Sequence, residues 1–441
     1  MYEDWQRALP ELGDDIYLRA VATEILTALR SEPLTFPDLL TTLRCCDPLV
    51  VGSVLGELRV SGSIGEDASS GAFRLRDVTS MARARPRARH PGAEISVTTD
   101  ALSLIREIKA CLPPASPAYY QWWFEDFCYP TLAQRVLRLA RARSKLMFIG
   151  APSLGAYVSR RTTAQTWLVD VDEALLRALA PTLPRHAVTS VYDVFDGLEP
   201  DLRGGFELVY TDPPWYPEFI NQFLARAVEA CAPRGYIFIS LPPPYTRPGV
   251  EQERQSFLSL ARSFGLKLLR RWPSGTRYEV PPFERQAYLR CGLTLDRPWR
   301  SGDLLLFRRP ADPMRYAPAG DSVHAPRWVE FRFGSTRVFL SRDERTRGGE
   351  PSLSAPPGHP DFTLGTTSRR ELGRGAVNLI TSRNRAAVAT GTRELASVLV
   401  SLARSGDLRG DQDQVRRSGA GFRTSALPLL DALAALLRER P

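Results

Sequence analysis

Lysine is nearly absent from this sequence. It occurs only at positions 109, 145 and 267, so arginine carries almost all of the basic charge behind a net +9. That balance favours polyanionic partners such as nucleic acid, although dispersed arginines that merely solvate a surface would give the same count. Histidine is scarce, at 90, 186, 324 and 359. None of the six cysteines (45, 46, 111, 128, 231 and 291) forms a Cys-x-x-Cys pair. Without a local His or Cys cluster no zinc site is expected, and buried free thiols are the expected state of the cysteines. Apolar runs all fall short of the ~20 residues that span a bilayer, so no membrane partner is expected. The opening Met1-Tyr2-Glu3-Asp4-Trp5 offers neither the basic start nor the apolar core of a secretory leader, which makes a cytoplasmic location the expectation.

At 441 residues the chain is too long for one hydrophobic core. Its patterning divides it into residues 1–80, 81–115, 116–310 and 311–441. In the first segment, Ile16, Leu18, Val21, Ile25, Leu26 and Leu29 recur at helical spacing. Thr35 and Asp47 are placed to cap a second and a third helix, Gly62 to end the third. Ile64–Glu66 and Phe73–Arg76 then read as two wing strands of a winged helix. Such a module binds DNA or packs against protein, and Arg59 is the only base-reading candidate on its third helix. Residues 81–92, with Arg83, Arg85, Arg87 and Arg89, read as a self-repelling tether able to touch phosphates. A helix from Thr99 to Cys111 follows.

From Lys145 short apolar strands alternate with helices: Leu146–Ile149, Thr166–Val169, Val188–Val191, Leu208–Thr211, Tyr236–Ser240, Leu266–Arg271 and Leu304–Phe307. The alternation predicts an α/β fold with a mostly parallel sheet covered on both faces. Beyond Pro310 an α+β accessory region is expected: a hairpin around Gly334-Ser335, a long loop over 341–372, and helices near Glu394–Ala403 and Leu427–Arg438. No chemistry-bearing motif stands out there.

Ligands of such sheets bind beyond the carboxyl ends of the strands, at the topological switch point. The first strand enters Gly150-Ala-Pro-Ser-Leu-Gly155, where Gly150 and Gly155 would let the backbone approach a ligand. Asp170 ends the second strand, placed to accept from both hydroxyls of a ribose. Asp172 is a helix cap. Asp193, after the third strand, could bond an adenine amino group. The fourth strand runs into Asp212-Pro213-Pro214-Trp215. Two prolines enforce a stiff, extended exit. The Asp212 carboxylate and the Pro213 carbonyl could then accept the N–H groups of an amine and aim its lone pair at an electrophilic carbon. Trp215 could stack on a flat substrate or exclude water.

Phe148 to Phe307 resembles the class I S-adenosylmethionine-dependent transferases, in which Asp-Pro-Pro-aromatic marks amino-group alkylation. A closer resemblance, over residues 16 to 310, is to the branched-chain polyamine synthases. It is carried by Asp126-Phe-Cys-Tyr-Pro-Thr131, Val169-Asp170-Val171-Asp172, Thr211-Asp212-Pro213-Pro214 and Gly302-Asp303-Leu304-Leu305. That resemblance implies a Rossmann-like class I methyltransferase-type sheet preceded by a winged helix. It also implies aminopropyl transfer from decarboxylated S-adenosylmethionine to a polyamine. Catalysis would fall to Asp212, Pro213, Pro214 and Trp215, donor binding to Gly150, Gly155, Asp170 and Asp193. Asp126, Tyr129, Tyr216 and Glu218 would hold the acceptor. The chain departs from the family at Ala151-Pro152-Ser153, where an acidic run is usual, and at Trp215, where Glu is usual. Those departures support S-adenosylmethionine-dependent N-methylation of a nucleobase or another amine as the alternative. A third reading, from another class, is a nucleic-acid-binding regulator that uses the winged helix and the Arg83–Arg89 tether. A homodimer is compatible with all three.

Overall fold

The computed structural model describes residues 16–76, 98–290, 293–295, 297–311, 328–341, 350–364, 373–404 and 427–437. The Arg83–Arg89 tether therefore lies outside the described residues. Among these residues no single helix is long and apolar enough to cross a membrane. The chain forms two compact units. One takes in the described residues within Met1–Leu112, Trp123–Val280 and Asp296–Gly320. The other takes in those within Pro113–Trp122, Pro281–Leu295 and Asp321–Pro441.

The first unit opens with α1 (Ile16–Leu29), β1 (Leu34–Thr35), α2 (Phe36–Leu43), α3 (Pro48–Val60), β2 (Ile64–Glu66) and β3 (Ala72–Leu75). Local chemistry sets these boundaries. Thr35 and Asp38 form a reciprocal capping box at the start of α2. Asp47 accepts the N–H of Leu49 at the start of α3, and Gly62 follows α3 with φ +75°. The strands pair in the order β1-β3-β2. Arg59 is held by Glu66 at 2.6 Å.

Next come α4 (Thr99–Cys111), α5 (Cys128–Leu137), β4 (Lys145–Ile149), α6 (Pro152–Ser159), β5 (Gln165–Asp170), α7 (Glu173–Leu179), β6 (Ala187–Val191), β7 (Phe206–Thr211), α8 (Pro217–Ala230), β8 (Cys231–Leu241), α9 (Val250–Ser263), β9 (Lys267–Arg277) and, after the excursion into the other unit, β10 (Ser301–Arg308). All seven expected strands are present, in the order β6-β5-β4-β7-β8-β10-β9. β4 through β8 run parallel. β10 is antiparallel to both its neighbours. The chain builds β4, β5 and β6 outward in one direction, then returns to the far side of β4 with β7. The switch point therefore lies between β4 and β7, and Asp212 donates its N–H to the Ile149 carbonyl there at 3.2 Å. An aromatic row crosses one face of the sheet: Phe148, Tyr210, Phe238 and Trp272, with neighbouring centroids 5.9, 5.9 and 6.1 Å apart.

In the second unit α10 (Pro282–Arg290) joins a five-stranded sheet, β11 (Trp328–Phe333), β12 (Thr336–Ser341), β13 (Ser352–Ser354), β14 (Leu379–Thr381) and β15 (Ala386–Thr390), and helices α11 (Thr392–Arg404) and α12 (Leu427–Leu437). The hairpin at Gly334-Ser335 and both terminal helices match the sequence reading. The expected loop over 341–372 needs correction, because β13 lies inside it and pairs with β15. A three-residue strand is too short to show periodicity, and its half of the pairing comes from a partner 34 or more residues away.

Candidate functional site

Asp212 leaves the carboxyl end of β7 at the switch point. Its side chain keeps some solvent access, but the recess around it is walled by protein. Tyr278 donates its phenolic O–H to Asp212 Oδ1 at 2.7 Å. Ser240, near the end of β8, lies 2.9 Å from the same phenol oxygen. The indole N–H of Trp215 donates to Ser240 Oγ at 3.3 Å. Ser240 Oγ also lies 3.5 Å from Thr276 Oγ1, so Trp215, Ser240, Thr276 and Tyr278 form one polar cluster that closes on the carboxylate. Desolvation pushes the Asp212 carboxyl up to about 7, outweighing the Tyr278 and Ser240 hydrogen bonds and the Arg300 charge, which pull it down. Near neutral pH this group can therefore both accept and release a proton.

Trp215 does not stand open to solvent. It is 7% exposed and packs edge-on against Tyr278, centroids 5.5 Å apart. The opposite wall is Gly302. A Cβ there would sit 2.5 Å from Thr276 Oγ1, 2.7 Å from Trp215 Cζ2 and 3.0 Å from Ser240 Oγ. Gly302 is thus the residue that makes room for the indole. Next to it, Asp303 is wholly buried and carries three guanidinium groups: Arg44 at 3.2 Å, Arg254 at 3.0 Å and Arg271 at 2.6 Å. Arg44 comes from the end of α2, so this carboxylate ties the first helices to β9, α9 and β10.

The expected donor side is assembled from strand ends. Gly150, with φ +68°, follows β4; a Cβ on it would meet Phe223 at 2.7 Å and the Asp212 carbonyl at 3.1 Å. Only glycine allows the turn to pass so close to Asp212. Asp170 and Asp193 are half-buried at the ends of β5 and β6. Asp170 Oδ1 accepts the N–H of Asp172 at 2.9 Å, and Asp193 Oδ1 that of Phe195 at 3.0 Å. Asp172 caps α7 by accepting from Leu175, as its position implied. Gly155 requires a correction. It lies within α6 with Leu168 and Phe148 where a Cβ would project, at 2.9 and 3.1 Å. It lets the helix pack closely on the sheet and does not line the turn beside Gly150.

Of the four residues nominated for the acceptor, Asp126 and Tyr129 share the Lys109 ammonium, which lies 5.5 Å from the Tyr129 ring centroid. Tyr129 is fully buried in α5, its hydroxyl 3.3 Å from Ser153 Oγ. Asp126 is bound by Lys109 at 2.5 Å, and the same ammonium holds Glu279. Tyr216 precedes α8 with the Arg247 guanidinium 5.6 Å from its ring centroid. Glu218 sits in the first turn of α8, where the helix dipole favours an acid whatever its further role. Sequence reasoning missed Tyr278, Ser240, Thr276 and Arg300. No local pattern marks them, because they come from β8, β9 and the residues that flank β9 and β10, which meet the end of β7 only after the sheet has formed. Gly302 and Asp303 were visible as a motif but not as the floor beneath Trp215.

A seven-stranded sheet of this order, with one antiparallel strand and carboxylates at successive strand ends, is the Rossmann-like architecture of class I methyltransferases. Comparison with known proteins agrees. Residues 117–255 match the family model described as "Probable N6-adenine methyltransferase". An uncharacterized protein of Methanocaldococcus jannaschii is 27% identical over 101 residues, which cover 22% of this chain and 26% of that protein. The chain thus spans about a quarter of that relative's length. The branched-chain polyamine synthase of Thermus thermophilus, solved with N4-aminopropylspermidine and 5'-methylthioadenosine, superposes with a TM-score of 0.54. Identity is 14%, covering 68% of this chain and 91% of that one. Its C9 mutein, solved with the same two compounds, gives 0.55 at 15% identity, over 69% and 92%. At such identities these superpositions speak to the fold.

Proposed function

We propose that this protein is a group transferase that alkylates an amine nitrogen from an S-adenosylmethionine-type donor. The observation that carries the reading is Asp212: a carboxyl at the switch point, beside the Gly150 turn, held near neutrality by burial and oriented by Tyr278. The donor supplies an alkyl carbon on a sulfonium, and the sulfur departs with the bonding pair as a neutral thioether. Gly150, Asp170 and Asp193 suit the donor, since the turn admits close backbone approach and the two carboxylates stand at the carboxyl ends of adjacent parallel strands.

The protein's own part is orientation and proton handling. Asp212 and the Pro213 carbonyl accept the acceptor's N–H groups, which points the nitrogen lone pair toward the donor. As the new C–N bond forms, the surplus proton passes to the Asp212 carboxylate and then to solvent. Trp215, fixed by Ser240 and Gly302, walls the recess and excludes water.

Two donors are compatible with this chemistry. Aminopropyl transfer from decarboxylated S-adenosylmethionine draws support from the superposition on a polyamine synthase and from the chain's own resemblance to that family. Methyl transfer from S-adenosylmethionine draws support from the matched family and from Trp215, an apolar wall where a polyamine would need an acid. Calorimetry with the two donors tests the choice, because the donor carboxylate needs a cationic or N–H partner that only one form uses. Tight binding of the intact donor alone would exclude aminopropyl transfer. Asp212→Ala should abolish transfer yet keep donor affinity; full activity in that variant would sink the mechanism.

A further inference from the structure

Lys109 is one of three lysines in a chain whose 58 basic residues are otherwise arginine. It lies in the last turn of α4, outside the segment 117–255 that matches the family model. Its ammonium stands 2.5 Å from a carboxylate oxygen of Asp126, 2.5 Å from one of Glu279 and 5.5 Å from the Tyr129 ring centroid. The two acids belong to different stretches of chain. Residues 123–126 run antiparallel to residues 277–279: Glu125 donates its N–H to the Arg277 carbonyl at 3.0 Å, and Glu279 its N–H to the Trp123 carbonyl at 2.8 Å. Phe124 and Tyr278 face each other in that short ladder, their rings stacked 5.2 Å apart. Tyr278, at its centre, is the residue whose hydroxyl donates to Asp212 at 2.7 Å. The ladder concentrates negative charge. Oxygens of Asp126 and Glu279 held on one ammonium are within about 5 Å of each other, where like charges repel. Glu125, buried in the same stretch with Arg277 at 3.4 Å, adds a third acid. An ammonium is compact enough to stand between two carboxylates, whereas a planar guanidinium imposes its own fork.

We propose that Lys109 is a positioning residue for the transfer: through Asp126 and Glu279 it pins residues 123–126 to residues 277–279, and so keeps the Tyr278 hydroxyl seated on Asp212. The inference rests on the transferase reading above and adds to it a residue that acts through Tyr278. Without the ammonium, Asp126 and Glu279 push the two stretches apart beside Tyr278. The phenol then loses its seat, and the hydrogen bond that lowers the Asp212 carboxyl weakens. The groups that face Asp212 are Tyr278, Ser240, Tyr210 and Arg300. Those that face the Lys109 ammonium are Asp126, Glu279, Glu125 and Tyr129. Tyr278, next to Glu279 in the chain, links the two sets.

The test reads the Asp212 carboxyl directly, by carbon NMR titration of the whole protein isotope-labelled at its aspartate carboxyls, with Asp212→Asn identifying the resonance. Initial rates against pH with both donors run alongside. Lys109→Met and Glu279→Ala should each raise the Asp212 value by at least about half a pH unit, short of the shift of about one unit or more expected of Tyr278→Phe. Charge alone would move the two variants in opposite directions, since losing a nearby cation raises a carboxyl and losing a nearby anion lowers it. A shared rise is therefore the mark of a displaced phenol. In the Tyr278→Phe background neither substitution should move the value further. An Asp212 value that stays or falls in Glu279→Ala would overturn the inference, as would a Lys109→Met rise that persists undiminished without the phenol. The Glu279 side chain is half-exposed, so Glu279→Ala carries the test if Lys109→Met fails to fold. Donor binding with no transfer to any amine would instead overturn the transferase reading, while the Asp212 titration still decides whether Lys109 seats Tyr278.

Discussion

The hydrogen bond from Tyr278 to Asp212 should be readable as a position on the pH axis. Burial raises the Asp212 carboxyl to about 7, and the Tyr278 bond is the largest of the influences opposing that rise. If the carboxylate form accepts the proton of the attacking amine, kcat/KM rises with pH through about 7 and levels off above it. Tyr278→Phe removes the donor and nothing else of the ring, so the stacking on Phe124 at 5.2 Å is kept. A hydrogen bond to a charged acceptor is worth about 1.5–3 kcal/mol, and ~1.4 kcal/mol corresponds to one pH unit. The ascending limb should therefore move up by about one pH unit or more. Activity at pH 7 would fall at least about fivefold, because the carboxylate fraction drops from about a half to about a tenth, and at high pH it would return close to wild type. The assay is initial rate against pH with an acceptor that does not titrate in this range. A loss that is equal at every pH would mean that Tyr278 only shapes the recess. An unmoved limb in a fully active variant would show that Asp212 is not the titrating group.

Three further outcomes follow from the same geometry. A carboxyl whose folded-state value is raised favours the native state fully below its unfolded value near 4, and that contribution is lost as pH climbs through about 7. Asp212→Asn should accordingly raise Tm more at pH 8 than at pH 5, and equal shifts at both would contradict the burial argument. Gly302→Ala should lower stability by about 1–3 kcal/mol through overpacking and also reduce kcat, since the new methyl meets Trp215, Ser240 and Thr276; an unaltered kcat would remove the indole from the mechanism. Asp303→Ala leaves the buried Arg254 guanidinium without its carboxylate and should destabilise by about 3 kcal/mol in urea unfolding; a change under about 1 kcal/mol would mean that water or relaxation already satisfies Arg254.

How much of this was legible beforehand depends on the range of the forces concerned. Thr35, Asp47, Gly62 and Asp172 act within four residues of their own helices, so their roles followed from spacing alone. Apolar alternation likewise placed every strand of the parallel sheet and the Gly334-Ser335 hairpin. Gly155 was misread because a glycine near a strand end can serve either a ligand or a helix packed on the sheet, and the sequence does not separate the two. β13 was missed because so short a strand owes its conformation to the partner it pairs with.

The division is sharpest at Asp212-Pro213-Pro214-Trp215. The sequence by itself determined that a stiff, acceptor-rich turn ends the fourth strand of the sheet, because proline fixes its own backbone wherever it stands. Its scarcity of lysine and its arginine excess were equally plain. Only the tertiary structure decided what that turn is made to do. It brought Tyr278 and Ser240 from β9 and β8 to orient and tune Asp212, opened space for the indole at Gly302, and set Arg300 over the Trp215 face. Those effects depend on desolvation and on contacts between residues some 25 to 85 positions apart in the chain, which no local pattern can encode.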